Sequence, residues 1–149
     1  MYVELMNNIR ELVIAEFKFL EEHGYLFVQD KIEEKMLLYT LQVVYLNKIK
    51  KKEITISSSV NLDLKNEFFI TSSIVNLPYK TVNDFVSFDV YLRKDKNIIT
   101  DTTVFFEDGE INLKLIRDSI SSYAKLFKTY GARLIDSREQ FLGYYPEWT

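Results

Sequence analysis

Beginning at Tyr39, apolar and polar residues alternate with a period of two, and the chain does this three times in succession. Tyr39, Leu41, Val43 and Tyr45 share one face of the first run, and Ile54, Ile56 and Ser58 share a face of the second. Glu67 to Val75 makes the third. Side chains of a strand point alternately to opposite faces, so each run reads as a strand with one face in a core and one partly wet. The breaks, Asn47-Lys48-Ile49-Lys50-Lys51 and Asn61 to Asn66, are short and polar, and Asn76-Leu77-Pro78 ends the third run. A parallel pair needs a crossover of a dozen residues or more, so turns this short dictate an antiparallel meander.

A sheet with one apolar face needs cover, and two segments supply it. Between Leu5 and Leu20 the apolar residues stand at 5, 9, 12, 13, 17 and 20, a helical spacing, with Glu4, Arg10, Glu11, Glu16 and Lys18 interspersed. Gly24, after Glu21-Glu22-His23, is placed to take a left-handed C-cap. Near the C-terminus Leu113, Ile116, Ile120, Tyr123, Ala124, Phe127 and Tyr130 form a second stripe, which Leu134 and Ile135 continue beyond Gly131. Tyr25 to Asp30 reads as a short strand and Lys31 to Lys35 as a charged connection. Residues 81–92 read both ways: Val86, Phe88, Val90 and Leu92 alternate, while Thr81-Val82-Asn83-Asp84 resembles an N-cap with an acid at N3, which favours a helix. Asn97 to Phe106 reads as a short strand or an ordered loop. The expectation is a single α+β domain over residues 1–149: an N-terminal helix, an antiparallel meander sheet of about four strands, and a C-terminal helix packed on one sheet face.

Composition then removes chemistry. The 149 residues include no cysteine, so there is no disulfide, thiolate metal cage or thiol nucleophile. A single histidine, His23, leaves no histidine-based zinc site, and beside two glutamates at a helix end it reads as a capping charge. Four glycines are too few for a Gly-rich phosphate cradle. The expected metal set and cofactor set are both empty. The run Lys48-Ile49-Lys50-Lys51-Lys52 sits in a chain of net charge −3, which lacks the basic footprint of a nucleic-acid binder. Lysines at a hairpin tip read instead as keeping a sheet edge soluble.

Ser122-Tyr123-Ala124-Lys125 has the spacing that sets a nucleophile beside a lysine, but the Lys-Thr-Gly strand such an enzyme needs is missing. The pair reads as the wet face of an amphipathic helix. Asp95-Lys96-Asn97 opens like a calcium loop, yet Thr100 stands where the turn glycine belongs and Phe106 where the glutamate belongs. Glu21/Glu22 and Glu33/Glu34 are sequence neighbours and diverge on a helix. No catalytic constellation survives, and the expectation is that the protein is not an enzyme. The N-terminus has no basic and apolar leader, and the longest apolar runs are strand-sized. A cytoplasmic protein with no membrane partner is expected.

What remains is surface. Aromatics reach 15%, and two segments combine them with acids: Val104-Phe105-Phe106-Glu107-Asp108 and Tyr144-Tyr145-Pro146-Glu147-Trp148. Aromatic anchors with a charged rim are what protein interfaces use, so Phe106, Glu107, Asp108, Tyr144, Tyr145, Glu147 and Trp148 are the candidate partner-binding residues. The plainer reading folds these rings back on the core and leaves the acids solvated.

The order of elements carries a resemblance. The segment Phe17-Lys18-Phe19-Leu20-Glu21-Glu22-His23-Gly24-Tyr25, the strands around Val43-Val44-Tyr45 and Lys52-Glu53-Ile54-Thr55-Ile56, and the helix Tyr123-Ala124-Lys125-Leu126-Phe127-Lys128-Thr129-Tyr130-Gly131 resemble small bacterial α+β immunity proteins encoded beside polymorphic toxins. That resemblance implies a cytosolic binder that occludes a toxin and has no chemistry of its own; it carries no functional residue across. The functional expectation is a non-catalytic immunity or inhibitor protein for a cognate toxin. The alternative is a small-molecule-binding module with an aromatic-lined pocket between sheet and helices. A homodimer through the helices, or through the sheet edge away from Lys50 to Lys52, is compatible with the pattern.

Overall fold

The meander forms the centre of the molecule. In the computed structural model, which describes residues 2–63, 66–107, 110–137 and 139–146, four long antiparallel strands follow one another. They are β1 (Leu26–Lys35), β2 (Leu38–Asn47), β3 (Lys52–Asn61) and β4 (Glu67–Asn76). Two short strands share β4: β5 (Phe85–Ser87) pairs with its end from Ser73 to Val75, and β6 (Val104–Phe105) pairs with its start at Glu67 and Phe68. The sheet order is β1-β2-β3-β4-β5, with β6 beside β4. Four helices complete the fold: α1 (Tyr2–Glu16), α2 (Phe88–Asp95), α3 (Leu113–Tyr130) and α4 (Ala132–Asp136). This is the expected α+β architecture.

The alternation assigns the faces correctly. Tyr39, Leu41, Val43 and Tyr45 are all buried, as are Ile54 and Ile56 on β3 and Phe68, Ile70 and Ile74 on β4. Against them lie Met6, Ile9 and Val13 of α1 and Ile116, Ile120, Tyr123 and Phe127 of α3. Phe127 is the junction: its ring lies 5.8 Å from that of Phe17 and 4.7 Å from that of Phe88. Fully burying one such ring stabilises the fold by about 1.5–3 kcal/mol.

Several boundaries move, each for a local reason. The strand expected over residues 25–30 continues to Lys35, and the turn to β2 is only Met36 and Leu37. β1 is an edge strand whose residues are nearly all exposed, so it has no apolar face for an alternation to mark. Residues 81–92 are not one helix. Thr81 and Asp84 form a capping box around a 3-10 turn (Val82–Asp84), β5 follows, and the Ser87 side chain then accepts a hydrogen bond from Val90 N–H to start α2. The first helix ends at Glu16, and a 3-10 turn (Lys18–His23) carries its stripe onward to Gly24. Gly24 is left-handed at φ 85° and donates its N–H to Glu21 O, the cap the sequence suggested. Between α3 and α4, a Cβ on Gly131 would sit 2.6 Å from Phe127 O, so only glycine lets the chain pass.

The largest correction concerns the lysine run. β3 lies inside the sheet, not at its edge, and Lys52 is only 2% exposed. No helix among the described residues is long and apolar enough to cross a membrane.

Candidate functional site

The pairing of β6 with the start of β4 sorts two adjacent aromatics. Phe106 donates its N–H to Asn66 O (2.8 Å) and buries its ring, while Phe105, opposite Glu67, is 63% exposed. Glu107 stays in solvent, and Ile111 packs on the edge of the core. Asn112 then caps α3, its Oδ1 accepting the N–H of Leu115 at 3.1 Å. The buried stripe of α3 begins at Ile116, so Leu113 and Leu115 in the first turn face outward. A groove of about 510 Å³ results, with Phe105, Leu113 and Leu115 as its apolar surface and Glu107 and Glu110 as its carboxylates. The acids flank a helix N-terminus, where the backbone dipole favours negative charge.

The C-terminal segment is held down more tightly. Phe141 is buried, its ring 6.4 Å from that of Tyr91, with Lys52 Nζ at 5.6 Å and the Arg133 guanidinium at 5.4 Å from its centre. The Tyr144 ring stands across Tyr91 at 5.2 Å, its hydroxyl donates to Asp95 at 3.3 Å, and its carbonyl accepts the Ser87 N–H at 2.7 Å. Burial, and then the nearby Asp95 carboxylate, push the Tyr144 phenol above its ordinary value. Tyr145 is at the margin of exposure, and Pro146 lies by the open sheet face.

Those candidates that are described, Phe106 and Glu107 on one side and Tyr144 and Tyr145 on the other, attach at different points of the sheet. Phe105 joins β4 at Glu67, whereas Tyr144 is held by Ser87, which pairs with Ser73. At a strand rise of about 3.4 Å per residue the two attachments are roughly 20 Å apart. Phe106 and Tyr144 turn inward, Glu107 and Tyr145 face solvent, and Asp108, Glu147 and Trp148 lie outside the described residues. The pattern missed Phe105, Glu110, Leu113 and Leu115. The helical spacing puts Leu113 on the buried stripe, yet three residues before Ile116 it precedes the first turn that meets the sheet.

Two polar clusters lie elsewhere. Tyr123 donates to Asp89 Oδ1 (2.6 Å) and meets Ser72 Oγ at 2.7 Å, while Thr100 donates to Asp89 Oδ2 (3.2 Å). Burial raises the Asp89 carboxyl above its usual range against these hydrogen bonds, and burial followed by the Asp89 charge puts the Tyr123 phenol well above its own. Tyr123 is fully buried and the cluster braces α2, α3 and β4, with Asp89 and Thr100 partly buried beside it. At the second cluster, His23 Nδ1 lies 2.9 Å from Asp136 Oδ1 and Lys50 Nζ 3.2 Å from the same oxygen. Lys52 Nζ donates to Leu134 O, and burial lowers its ammonium to about 8. Ser122 and Lys125 are exposed on α3. Among the described residues no group of three or more His, Asp or Glu side chains gathers where a metal ion would fit.

The open face of the sheet carries another groove, of about 520 Å³, whose floor includes Gln42, Thr55, Ser57, Thr71 and Ser73. Gln29 and the carboxylate of Glu53 line the same groove, so its hydroxyls share the face with one acid. No protein-family model matches this chain, and searches of curated proteins and of solved structures find no match either.

Proposed function

We propose that the protein is a non-catalytic protein-binding module of the immunity or inhibitor type, acting in the cytoplasm to neutralise a cognate bacterial toxin by occlusion. The observation that carries this reading is the groove at the start of α3, where exposed Phe105, Leu113 and Leu115 stand together between Glu107 and Glu110. Clustered apolar side chains inside a polar rim mark interaction surfaces, and their contact with a partner would remove them from water. The acid rim selects a partner with cations around an apolar patch. A toxin that attacks nucleic acid must hold phosphates with such cations, so the same charges that bind its substrate would attract this rim.

The candidate chemical pairs on α3 are poorly placed for catalysis, which favours a role without chemistry. Tyr123 is fully buried and engages the partly buried Asp89, while Ser122 and Lys125 lie on an open helix face. The alternative, a ligand pocket between sheet and helices, meets a layer already filled by Phe88, Tyr123 and Phe127.

Co-expression with the product of the adjacent reading frame tests the proposal, scored by growth rescue and by a complex that survives purification. In that complex Glu107→Lys/Glu110→Lys should slow association and flatten its dependence on salt, because rim charges steer encounter. Leu115→Ser should speed dissociation instead. Unchanged rates in both variants would remove this groove as the interface, and failure to rescue growth would remove the inhibitor reading.

A further inference from the structure

β1 is the one long strand of the described sheet with an unpaired side. It pairs only with β2, with a bulge at Val28 between Phe27 and Gln29, and the opposite edge is blunted. There β5 spans three residues, and its Ser87 N–H is already taken by Tyr144 O. An exposed edge of this length presents a row of free N–H and C=O groups to another strand. It also displays apolar side chains: Phe27, Val28, Ile32, Met36 and Leu37 are all exposed, the last two on the hairpin turn. Met36 and Leu37 hold left-handed φ of 50° and 64°, a conformation that side chains other than those of Gly, Asn and Asp seldom take. Two strained residues are also two of the exposed apolar ones, with Met36 at 79%.

These residues are arranged as a palindrome around Ile32. Phe27 and Leu37 stand five residues to either side of it, and Val28 and Met36 four to either side. Lys31 and Glu33 flank it with opposite charges, and both point to the open face of the sheet, opposite Gln42 and Thr40. An antiparallel strand paired with a copy of itself about a two-fold axis places residue i opposite the residue equally far beyond the axis. With the axis at Ile32, Ile32 meets its own counterpart, and each Lys31 meets a Glu33, twice. The same axis brings the apolar turn of each copy, Met36 and Leu37, toward the bulged start of β1 in the other, where Phe27 and Val28 are exposed. Asp30 would face Glu34, but Asp30 is already paired with Arg10, and Glu34 accepts the Tyr39 hydroxyl.

Neighbouring registers are worse. An axis at Lys31 opposes lysine to lysine. An axis at Glu33 opposes glutamate to glutamate and Lys31 to Lys35. Directly opposed like charges destabilise a strand pair.

We infer that two copies of this chain associate edge to edge through β1, antiparallel and in register about Ile32, to form a continuous sheet. This pairing leaves the α3 groove free and does not depend on the function proposed for it.

The test is charge exchange, read by sedimentation velocity over a concentration series. Wild type should show a concentration-dependent dimer. Lys31→Glu places two glutamate–glutamate pairs across the axis and Glu33→Lys two lysine–lysine pairs, so each alone should weaken the dimer about tenfold or more. Mixing the two single variants in equal amounts should restore association, because the mixed dimer again opposes unlike charges at both positions. The intrachain pair between Lys31 and Glu33, 2.6 Å apart, is lost in both partners of that mixture, so the rescue reports only contacts between chains. Ile32→Lys should give a monomer with an unchanged circular-dichroism melt, since this side chain is exposed in the single chain. A wild type that stays monomeric overturns the inference and leaves the edge to a strand of another protein. A dimer that ignores the exchanges, or single variants that do not rescue each other, overturns it as well.

Discussion

The two hairpin turns at either end of β2 are built on opposite plans. The β2–β3 turn is the charged one: Asn47, Lys50 and Lys52 are engaged, while Lys48, Ile49 and Lys51 are exposed. Asn47 Oδ1 accepts the N–H groups of Ile49 (3.1 Å) and Lys50 (2.9 Å), while its Nδ2 donates to His23 O (3.0 Å). Lys50 reaches Asp136, and Lys52 is buried against Leu134 O, so the turn clasps α4 and the first 3-10 turn together. The β1–β2 turn is apolar, two residues long, left-handed at both, and exposed. Beside each turn a side chain lies where its type would not place it: Lys52, at the start of β3, is buried, and Met36 and Leu37 are exposed. The lesson is that a residue's type indicates its environment only after its strand parity and its neighbours in the sheet are known.

The charged turn can be broken first. Lys52→Glu would press a carboxylate against Leu134 O, in the field of Asp136 and Glu139, and leave it unpaired. An uncompensated buried charge costs about 3–5 kcal/mol, a large share of a typical domain's stability. Urea unfolding should show a midpoint moved far down or no folded baseline at all. Lys52→Met should cost much less, since hydrocarbon of similar volume tolerates the site and the main loss is the partner of Leu134 O. If Lys52→Glu melts like wild type, the lysine is not inside.

Asn47→Ala should come next. It removes three hydrogen bonds at once, and the groups left in the turn regain water only in part, so a loss of about 2 kcal/mol is expected. Thermal melts with Asn47→Asp as a companion separate the two ends of the side chain. The carboxylate keeps the acceptor for Ile49 and Lys50 but loses the donor to His23 O, so it should fall between wild type and alanine.

The apolar turn should respond with the opposite sign. Met36→Asn/Leu37→Gly supplies the pair that a two-residue left-handed hairpin favours. Relief of left-handed strain should raise stability by about 1 kcal/mol, because each ordinary side chain in that conformation costs about 1–2 kcal/mol and Leu37 O keeps its bond from Leu62 N–H. The same substitution removes two apolar side chains from the edge and should weaken self-association. A turn that gains stability while losing association would sharpen the contrast between the plans; a turn that loses stability would show that Met36 and Leu37 pack within their own chain.

How much of this could be read in the sequence follows the same contrast. The core faces of β2 and β3 were legible because both alternate over most of their length against helices with a clear stripe. Lys52 was legible too in principle: it has the parity of Ile54, Ile56 and Ser58, and only the habit of placing lysines in solvent hid it. The extension of β1 was not legible, since a strand wet on both sides has no period to detect. Nor was the division of residues 81–92, where strand and helix share four apolar positions and the outcome rests on pairing with β4. At the candidate site, adjacent Phe105 and Phe106 point opposite ways, and only the partner strand decides which is inward. The tail was opaque for a different reason: Tyr144 meets Asp95 and Gly143 meets Asn83 across 49 and 60 residues, beyond any local pattern.

The charged turn should also respond to pH. Burial, reinforced by the neighbouring Lys50 charge, lowers the Lys52 ammonium from an ordinary 10.5 to about 8 in the fold. Between those values the unfolded chain holds a proton that the folded chain has released. Raising pH through this window therefore favours the folded state, and below about pH 8 the penalty for a charged buried lysine is present in full. Other lysines and the tyrosines titrate over the same range, so the informative quantity is a difference between two proteins. Wild type minus Lys52→Met, measured by urea unfolding from pH 7.5 to pH 10, should rise with pH, because methionine has no proton to release. Parallel curves would mean that the ammonium is solvated in the folded chain. The clasp between β3 and α4 would then rest on Asn47 and the Lys50–Asp136 pair alone, and the two hairpin turns would differ in polarity but not in what they bury.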